Sequence, residues 1–243
     1  MPNILLLGGT MEASAMARRL ADRGLAATLS YMGRVERPKP QPIAVRIGGF
    51  GGVPGLIQYL TDHQITHVID ATHPFAAQMS SNAVAACAAT GTPLIALTRP
   101  AWQPGPGDDW QRVPDMDSAV AALAGPARRI MLAIGRMHLA EFAAQPQHHY
   151  LLRLVDAPSE IPPLPHHSVV VDRGPFSAEA DEALMREHRI DLIVAKNAGG
   201  IGSVSKLQAA RALHLPVLMI DRPQLPPRHE THDPEEVLRF VTA

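Results

Sequence analysis

Residues 4–34 read ILLLGGTMEASAMARRLADRGLAATLSYMGR, and this stretch decides the fold. An unbroken apolar run, Ile4 to Leu7, meets paired glycines at Gly8 and Gly9. A helical pattern follows over 11–23, with Met16 and Leu20 on one face and Gly24 as its stop; a second strand-like run covers 27–31. Apolar at every position, the first run reads as a strand buried on both faces, and strand, turn, helix and strand of these lengths make a parallel crossover unit. The turn of such a unit turns backbone N–H groups and the positive end of the helix dipole toward an anion. Gly8 and Gly9 permit the tight turn, and Thr10 adds a hydroxyl. Ala13 stands where the dinucleotide fingerprint has its third glycine, a position that needs only a small side chain. Glu12 suits the dipole but would repel a phosphate, so its side chain is expected to point away or to cap the helix.

Two parts of the usual dinucleotide site are missing: the full G-x-G-x-x-G, and an acid closing the second strand to hold a ribose hydroxyl. In place of the acid the chain offers SYMGRVERP, residues 30–38. Ser30, Gly33, Arg34 and Arg37 form a small, cationic strand end of the kind a ribose 2′-phosphate requires. Arg34 is the better candidate, because a guanidinium grips a phosphate through two hydrogen bonds. The loop therefore favours NADP(H) over NAD(H).

The same alternation runs through the rest of the chain. Strand-like runs at 44–47, 67–71 and 94–97 alternate with helical patterns at 55–64 and 76–90. RPAWQPGPGDDWQRVPD, residues 99–115, is too rich in proline and glycine for a helix or a central strand. It reads as an interdomain connection, with Trp102 and Trp110 packed against a domain face. Beyond it come strand-like runs at 129–133, 150–154, 169–171, 192–195 and 217–220, and helical patterns at 118–123, 178–188, 205–213 and 234–242. Ser177 is the expected cap of the helix at 178. The expectation is an α/β protein of two Rossmann-like domains with mainly parallel sheets, 1–110 and 111–243, around an interdomain cleft.

Composition narrows the function classes. A net charge of −1 on 243 residues offers no basic surface for nucleic acid or for an acidic membrane. No run approaches the roughly 20 apolar residues of a membrane span, and no cationic segment precedes the first apolar run, so no signal peptide is expected. The lone Cys87 has no partner for an internal disulfide and reads as a small helical core residue, which suits a reducing, cytoplasmic setting. Twelve histidines include the pairs His148–His149 and His166–His167, but these lie in proline-flanked loops without metal-ligand spacing. No metal is expected, and no nucleophile elbow is visible.

Three further stretches carry the chemistry, RIGGFGG at 46–52, DATHPFA at 70–76 and VAKNAGGIGSVSKLQAARAL at 194–213, and LPVLMIDRP at 215–223 closes the series. Glycines after a strand, Gly49 among them, let a ligand slide past bare backbone. Thr72 and His73 sit just past a strand, with Pro74 opening the next helix; they are candidates for the nicotinamide end of a cofactor or for a substrate carboxylate. Lys196 and Asn197 emerge at a strand end. Gly199 and Gly200 make a backbone nest, Ser203 or Ser205 leads the next helix, and Lys206 adds charge, a set suited to carboxylates or phosphates. The spacing is not that of a P-loop. Arg136 and Arg173, each following a strand, are further candidate carboxylate partners.

Taken in order with GGTMEA at 8–13, these motifs resemble the precorrin-6A reductase family over nearly the whole chain. The resemblance implies twin Rossmann-like domains, with most NADP(H) contacts in the N-terminal one. It also implies hydride transfer from NADPH to a macrocycle double bond, with a proton added at the neighbouring carbon to give precorrin-6B. Hydride transfer needs no protein nucleophile, and no catalytic residue or proton donor is assigned. The substrate would be a small tetrapyrrole with several carboxylates, metal-free or, in the anaerobic branch, carrying cobalt. Two readings outside this class stay open: a two-domain nucleotide-sugar transferase, and a nucleotide-sensing or ligand-carrying module.

Overall fold

The computed structural model describes residues 1–32, 40–158, 160–172, 174 and 176–243. The chain divides into two compact units, Met1–Pro100 with Gln224–Ala243, and Ala101–Pro223. The crossing thus falls ten residues before the expected boundary at 110, and the last twenty residues belong to the first unit rather than to the second.

The first unit holds β1 (Asn3–Leu7), α1 (Met11–Asp22), β2 (Ala26–Tyr31), β3 (Ala44–Ile47), α2 (Gly52–Asp62), β4 (His67–Asp70), α3 (Ala77–Thr90) and β5 (Leu94–Leu97). Its sheet is parallel throughout, in the order β3-β2-β1-β4-β5 with a last short strand, Glu230–Thr231, on the β5 edge. Alternation along β1 splits its run between two cores. Ile4 and Leu6 pack with Met16 and Leu20 of α1, while Leu5 and Leu7 pack with Leu56 and Leu60 of α2 and Ala83 and Cys87 of α3. The C-terminal helix, Pro234–Thr242, completes the first of these cores with Val237, Leu238 and Val241, all at most 1% exposed. At roughly 1.5–3 kcal/mol for each buried aliphatic side chain, this face returns the chain end to the first unit.

The second unit holds β6 (Trp110–Val113), α4 (Met116–Ala121), β7 (Arg129–Ala133), a 3-10 helix (Arg136–Ala144), β8 (His149–Leu154), β9 (His167–Val171), α5 (Ala178–Glu187), β10 (Leu192–Lys196), α6 (Ser205–Ala212) and β11 (Val217–Ile220). The two short C-terminal elements of the first unit are β12 (Glu230–Thr231) and α7 (Pro234–Thr242). Again all strands are parallel, in the order β9-β8-β7-β10-β11-β6. β6 arises inside the proline-rich stretch, where it takes the sheet edge that such sequence tolerates. Trp102 and Trp110 pack on the core of α5, α6 and the sheet.

Candidate functional site

In both sheets the order places the topological switch between two central strands, β1 and β4 in one unit and β7 and β10 in the other. Ligands of open parallel sheets sit at the carboxyl ends of such strands. In the first unit that end is the Gly8–Thr10 turn. A Cβ on Gly8 would lie 2.4 Å from Leu29 Cδ1, so the turn packs closely on β2 and a side chain there would displace the Leu29 methyl. Gly9 has φ +117°, a region that favours glycine, with open space around its α carbon. The Gly8 N–H donates to Ser30 O at 3.0 Å, whereas the N–H groups of Gly9 and Thr10 take no bond among the described residues. With the opening N–H groups of α1 they make an anion-ready turn.

The Thr10 hydroxyl is engaged twice. It caps α1 by accepting from Ala13 N at 3.0 Å and donates to Ala71 O at 2.7 Å, tying the turn to the end of β4. Glu12 turns away from the N-terminus onto Arg99, 2.5 Å apart, which neutralises the charge that would have opposed a phosphate. Thr10, Glu12, Thr72, Pro74 and Leu97–Arg99 line one shallow depression.

The end of β2 carries Ser30, 6% exposed. It is in register with Arg46 of β3, whose guanidinium donates to Ser30 Oγ at 2.7 Å, to Gly48 O at 3.0 Å and to Gly49 O at 3.1 Å. The same guanidinium lies 3.9 Å from the Phe50 ring centroid. RIGGFGG is therefore folded around its own arginine, and Gly49 contributes its carbonyl to that cage.

At the end of β4, Asp70 is 3% exposed and fully engaged. Its carboxylate accepts from Thr72 N at 3.1 Å, Thr72 Oγ1 at 2.7 Å, Ser80 Oγ at 2.6 Å and Arg228 at 2.5 Å. Thr72 is thereby fixed in place, with its proton committed to Asp70. His73 Nδ1 accepts from Phe75 N at 3.2 Å, which puts the ring proton on Nε2. Pro74 lies in a turn rather than opening a helix; α3 begins at Ala77. Nearby, burial and then the Asp70 charge push the Cys87 thiol up to about 12.

In the second unit, Lys196 ends β10 and the exposed Arg136 opens the 3-10 helix just past β7, so both cations stand at carboxyl ends of adjacent strands. Gly199 and Gly200, the glycines of the expected backbone nest, have φ +68° and +72°, in the left-handed region that favours glycine. Beneath the nest lies a latch absent from the sequence expectation. Asn197 Oδ1 accepts from Trp102 N at 2.8 Å and its Nδ2 donates to Trp102 O at 3.0 Å. The Trp102 indole donates to Gly200 O at 2.8 Å, and Arg222 donates to the carbonyls of Asn197 and Ala198.

Two expectations for this loop change accordingly. Asn197, 3% exposed, holds backbone rather than facing a ligand, and Lys206 is 4% exposed, with its ammonium on Ser203 O and 4.9 Å from the Trp102 ring centroid. Lys206 is the second residue of α6, on the helix face that also buries Leu207, Ala209 and Ala210. Of the two serines expected to lead α6 it is Ser205 that opens the helix; Val204 stands at the cap, and Ser205 Oγ donates to Asp181 at 2.7 Å. Ser177 does cap α5, accepting from Ala180 N at 3.1 Å. Gly33, Arg34, Arg37 and Arg173 lie outside the described residues.

Among the described residues no three His, Cys, Asp or Glu side chains converge as a metal site requires, and no helix is long and apolar enough to cross a membrane. Arg46, Asp70, Arg228, Trp102 and Arg222 organise the two strand-end regions without having been singled out as site residues. For Arg46 and Asp70 the signal lay in the motifs themselves.

Two six-stranded parallel sheets that share one order over five strands and differ in the outermost one, last in the chain in the first unit and first in the second, each with a glycine turn at its switch point, define a double Rossmann-like α/β protein. The model of the family described as Precorrin-6x reductase CbiJ/CobK matches residues 3–242, and the chain belongs to that family. It is thus an oxidoreductase of cobalamin biosynthesis. It is 57% identical to the Precorrin-6A reductase of Rhodobacter capsulatus over 94% of this chain and 91% of that one. A solved structure of CobK precorrin-6A reductase superposes with a TM-score of 0.95 at 54% identity, covering 100% of this chain and 96% of that one. The Cobalt-precorrin-6A reductase of Priestia megaterium is more distant, 30% identical over 91% of each chain.

Proposed function

We propose that the chain reduces precorrin-6A to precorrin-6B with NADPH as the electron donor. One observation carries the choice of cofactor: at the strand end where a dinucleotide site for NAD(H) places an acid, this chain has Ser30, held by Arg46. The anion-ready turn at Gly8–Thr10 fits a pyrophosphate, since its acid, Glu12, is neutralised by Arg99. When bound, the nicotinamide would supply a hydride to one carbon of a macrocycle double bond, with a proton added at the neighbouring carbon.

The protein's part is position and electrostatics. Gly8, Gly9 and Thr10 shape the phosphate turn, Ser30, Gly33, Arg34 and Gly49 belong to the ribose end, and Thr72 and His73 to the nicotinamide end. In the second unit Arg136, Arg173, Lys196 and the Gly199–Gly200 nest with Ser203 meet substrate carboxylates. Asn197 and Lys206 support that loop from behind. Exposed Met137 and Ile201 beside these charges suit a flat apolar ring fringed with carboxylates. The metal-free substrate is favoured over the cobalt form by the higher identity to the metal-free relatives. A cytoplasmic location belongs to the same reading, as does the absence of nucleic-acid and membrane partners.

Titration of the purified protein with NADPH and NADH, followed by fluorescence, tests the cofactor. NADPH is expected to bind about tenfold or more tightly, worth roughly 1.4 kcal/mol, with Arg34→Ala eroding that preference. Failure to bind either nucleotide would remove the cofactor assignment.

A further inference from the structure

We infer that Arg46, together with Ser30, is a specificity-determining pair for the ribose 2′-phosphate, preformed by the cross-strand register of β2 and β3. The inference rests on the NADP(H) reading and goes beyond Arg34. A guanidinium has five N–H groups. In Arg46 three of these are used within the fold, on Ser30 Oγ, Gly48 O and Gly49 O, so among the described residues two N–H groups remain. Among the described residues no carboxylate pairs with it. Its partners are a hydroxyl, two carbonyls and the rings of Phe50 and Tyr59, none of which cancels its charge.

Ser30 extends the argument. Its Oγ accepts from Arg46, and no described acceptor takes its own proton. The pair therefore offers only donors and one whole positive charge at the end of β2. A ribose hydroxyl that must donate finds no carboxylate there, whereas a phosphate dianion finds a hydroxyl proton and guanidinium N–H groups together. The cage also fixes the side chain beforehand, so little rotamer freedom is lost on binding. The same bonds make Arg46 a structural element of the glycine loop, and the experiment separates these two roles.

Dissociation constants for NADPH and for NADH are measured on the wild-type chain, Arg46→Ala, Arg46→Lys and Ser30→Ala. The expected result is a loss of NADPH affinity of about tenfold or more in Arg46→Ala with NADH affinity held within about twofold. Arg46→Lys, which keeps the charge but not the fork, falls between, and Ser30→Ala shows a smaller loss of the same sign. Equal loss of both nucleotides would overturn the inference by making Arg46 structural only, and so would an unchanged NADPH-to-NADH ratio. Wild-type chain that binds neither nucleotide contradicts the NADP(H) reading itself, a result distinct from both.

Discussion

Each unit buries one aspartate against one arginine and a helix serine, but with the roles exchanged between sheet and surroundings. In the first unit the acid is on the sheet: Asp70 ends β4, and Arg228 reaches it from the C-terminal segment while Ser80 donates from α3. In the second the cation is on the sheet: Arg153 of β8 meets Asp181 of α5, and Ser205 of α6 completes the acid. The consequence differs with the placement. Asp70 also holds Thr72, so its ion pair joins the chain end to a loop of the candidate site. Asp181 instead ties two helices to a strand and leaves the nest at Gly199–Gly200 to a separate latch, Trp102 and Arg222. One chemical device thus serves a loop of the candidate site in one unit and only packing in the other.

The largest test of this comparison removes each arginine. Asp70 and Asp181 are both 1% exposed at the side chain, with Arg228 at 8% and Arg153 at 10%, so neither stranded carboxylate would find water easily. Arg228→Ala and Arg153→Ala should each cost about 3–5 kcal/mol in urea unfolding. A cost near zero in one unit would show that its pair contributes nothing the solvent cannot replace. A smaller effect compares the two turns. Thr10→Ala removes a helix cap and should cost about 1 kcal/mol; Trp102→Phe removes the indole donor to Gly200 O and should cost about the same. If Trp102→Phe proves far costlier, the second unit depends on ring packing more than on the hydrogen bond.

The smallest effect is one of pH. Burial first, then the Asp70 charge, raise the Cys87 thiol to about 12 in the folded chain. Below its ordinary value the thiol is neutral in both states and its contribution to folding is intact. As pH rises from there toward about 12 the unfolded chain ionises first, so that contribution is progressively lost. Native protein in mildly alkaline buffer should therefore react with a thiol reagent only after denaturation. Rapid labelling of the native chain would contradict a buried neutral thiol.

Much of the architecture was legible because buried parallel strands announce themselves as short apolar runs. Ile4–Leu7, 67–71, 94–97, 192–195 and 217–220 all read that way, and all became strands. What stayed hidden depends on distant partners. β12 is two residues long and exists because β5 offers an edge, and the α7 pattern names a helix without saying which sheet it covers. The proline-rich stretch hides β6 for a related reason: an edge strand needs pairing on one side only. At the sites, glycines and strand ends were visible, but the direction of a polar side chain was not. Lys206 read as a cation beside a nest, yet helix phase turns it inward, and Asn197 read as a ligand group, yet it pairs with the backbone of Trp102. Conversely, Arg46 stood in plain view within RIGGFGG, and only strand register places it on Ser30.

The most direct test of the account follows nicotinamide absorbance while the purified chain is given precorrin-6A with NADPH, and separately with NADH. The account predicts oxidation of NADPH that depends on the tetrapyrrole, in equal amount to the precorrin-6B formed, with NADH far slower. Binding of NADPH without tetrapyrrole-dependent oxidation, or equal use of NADH, would contradict it.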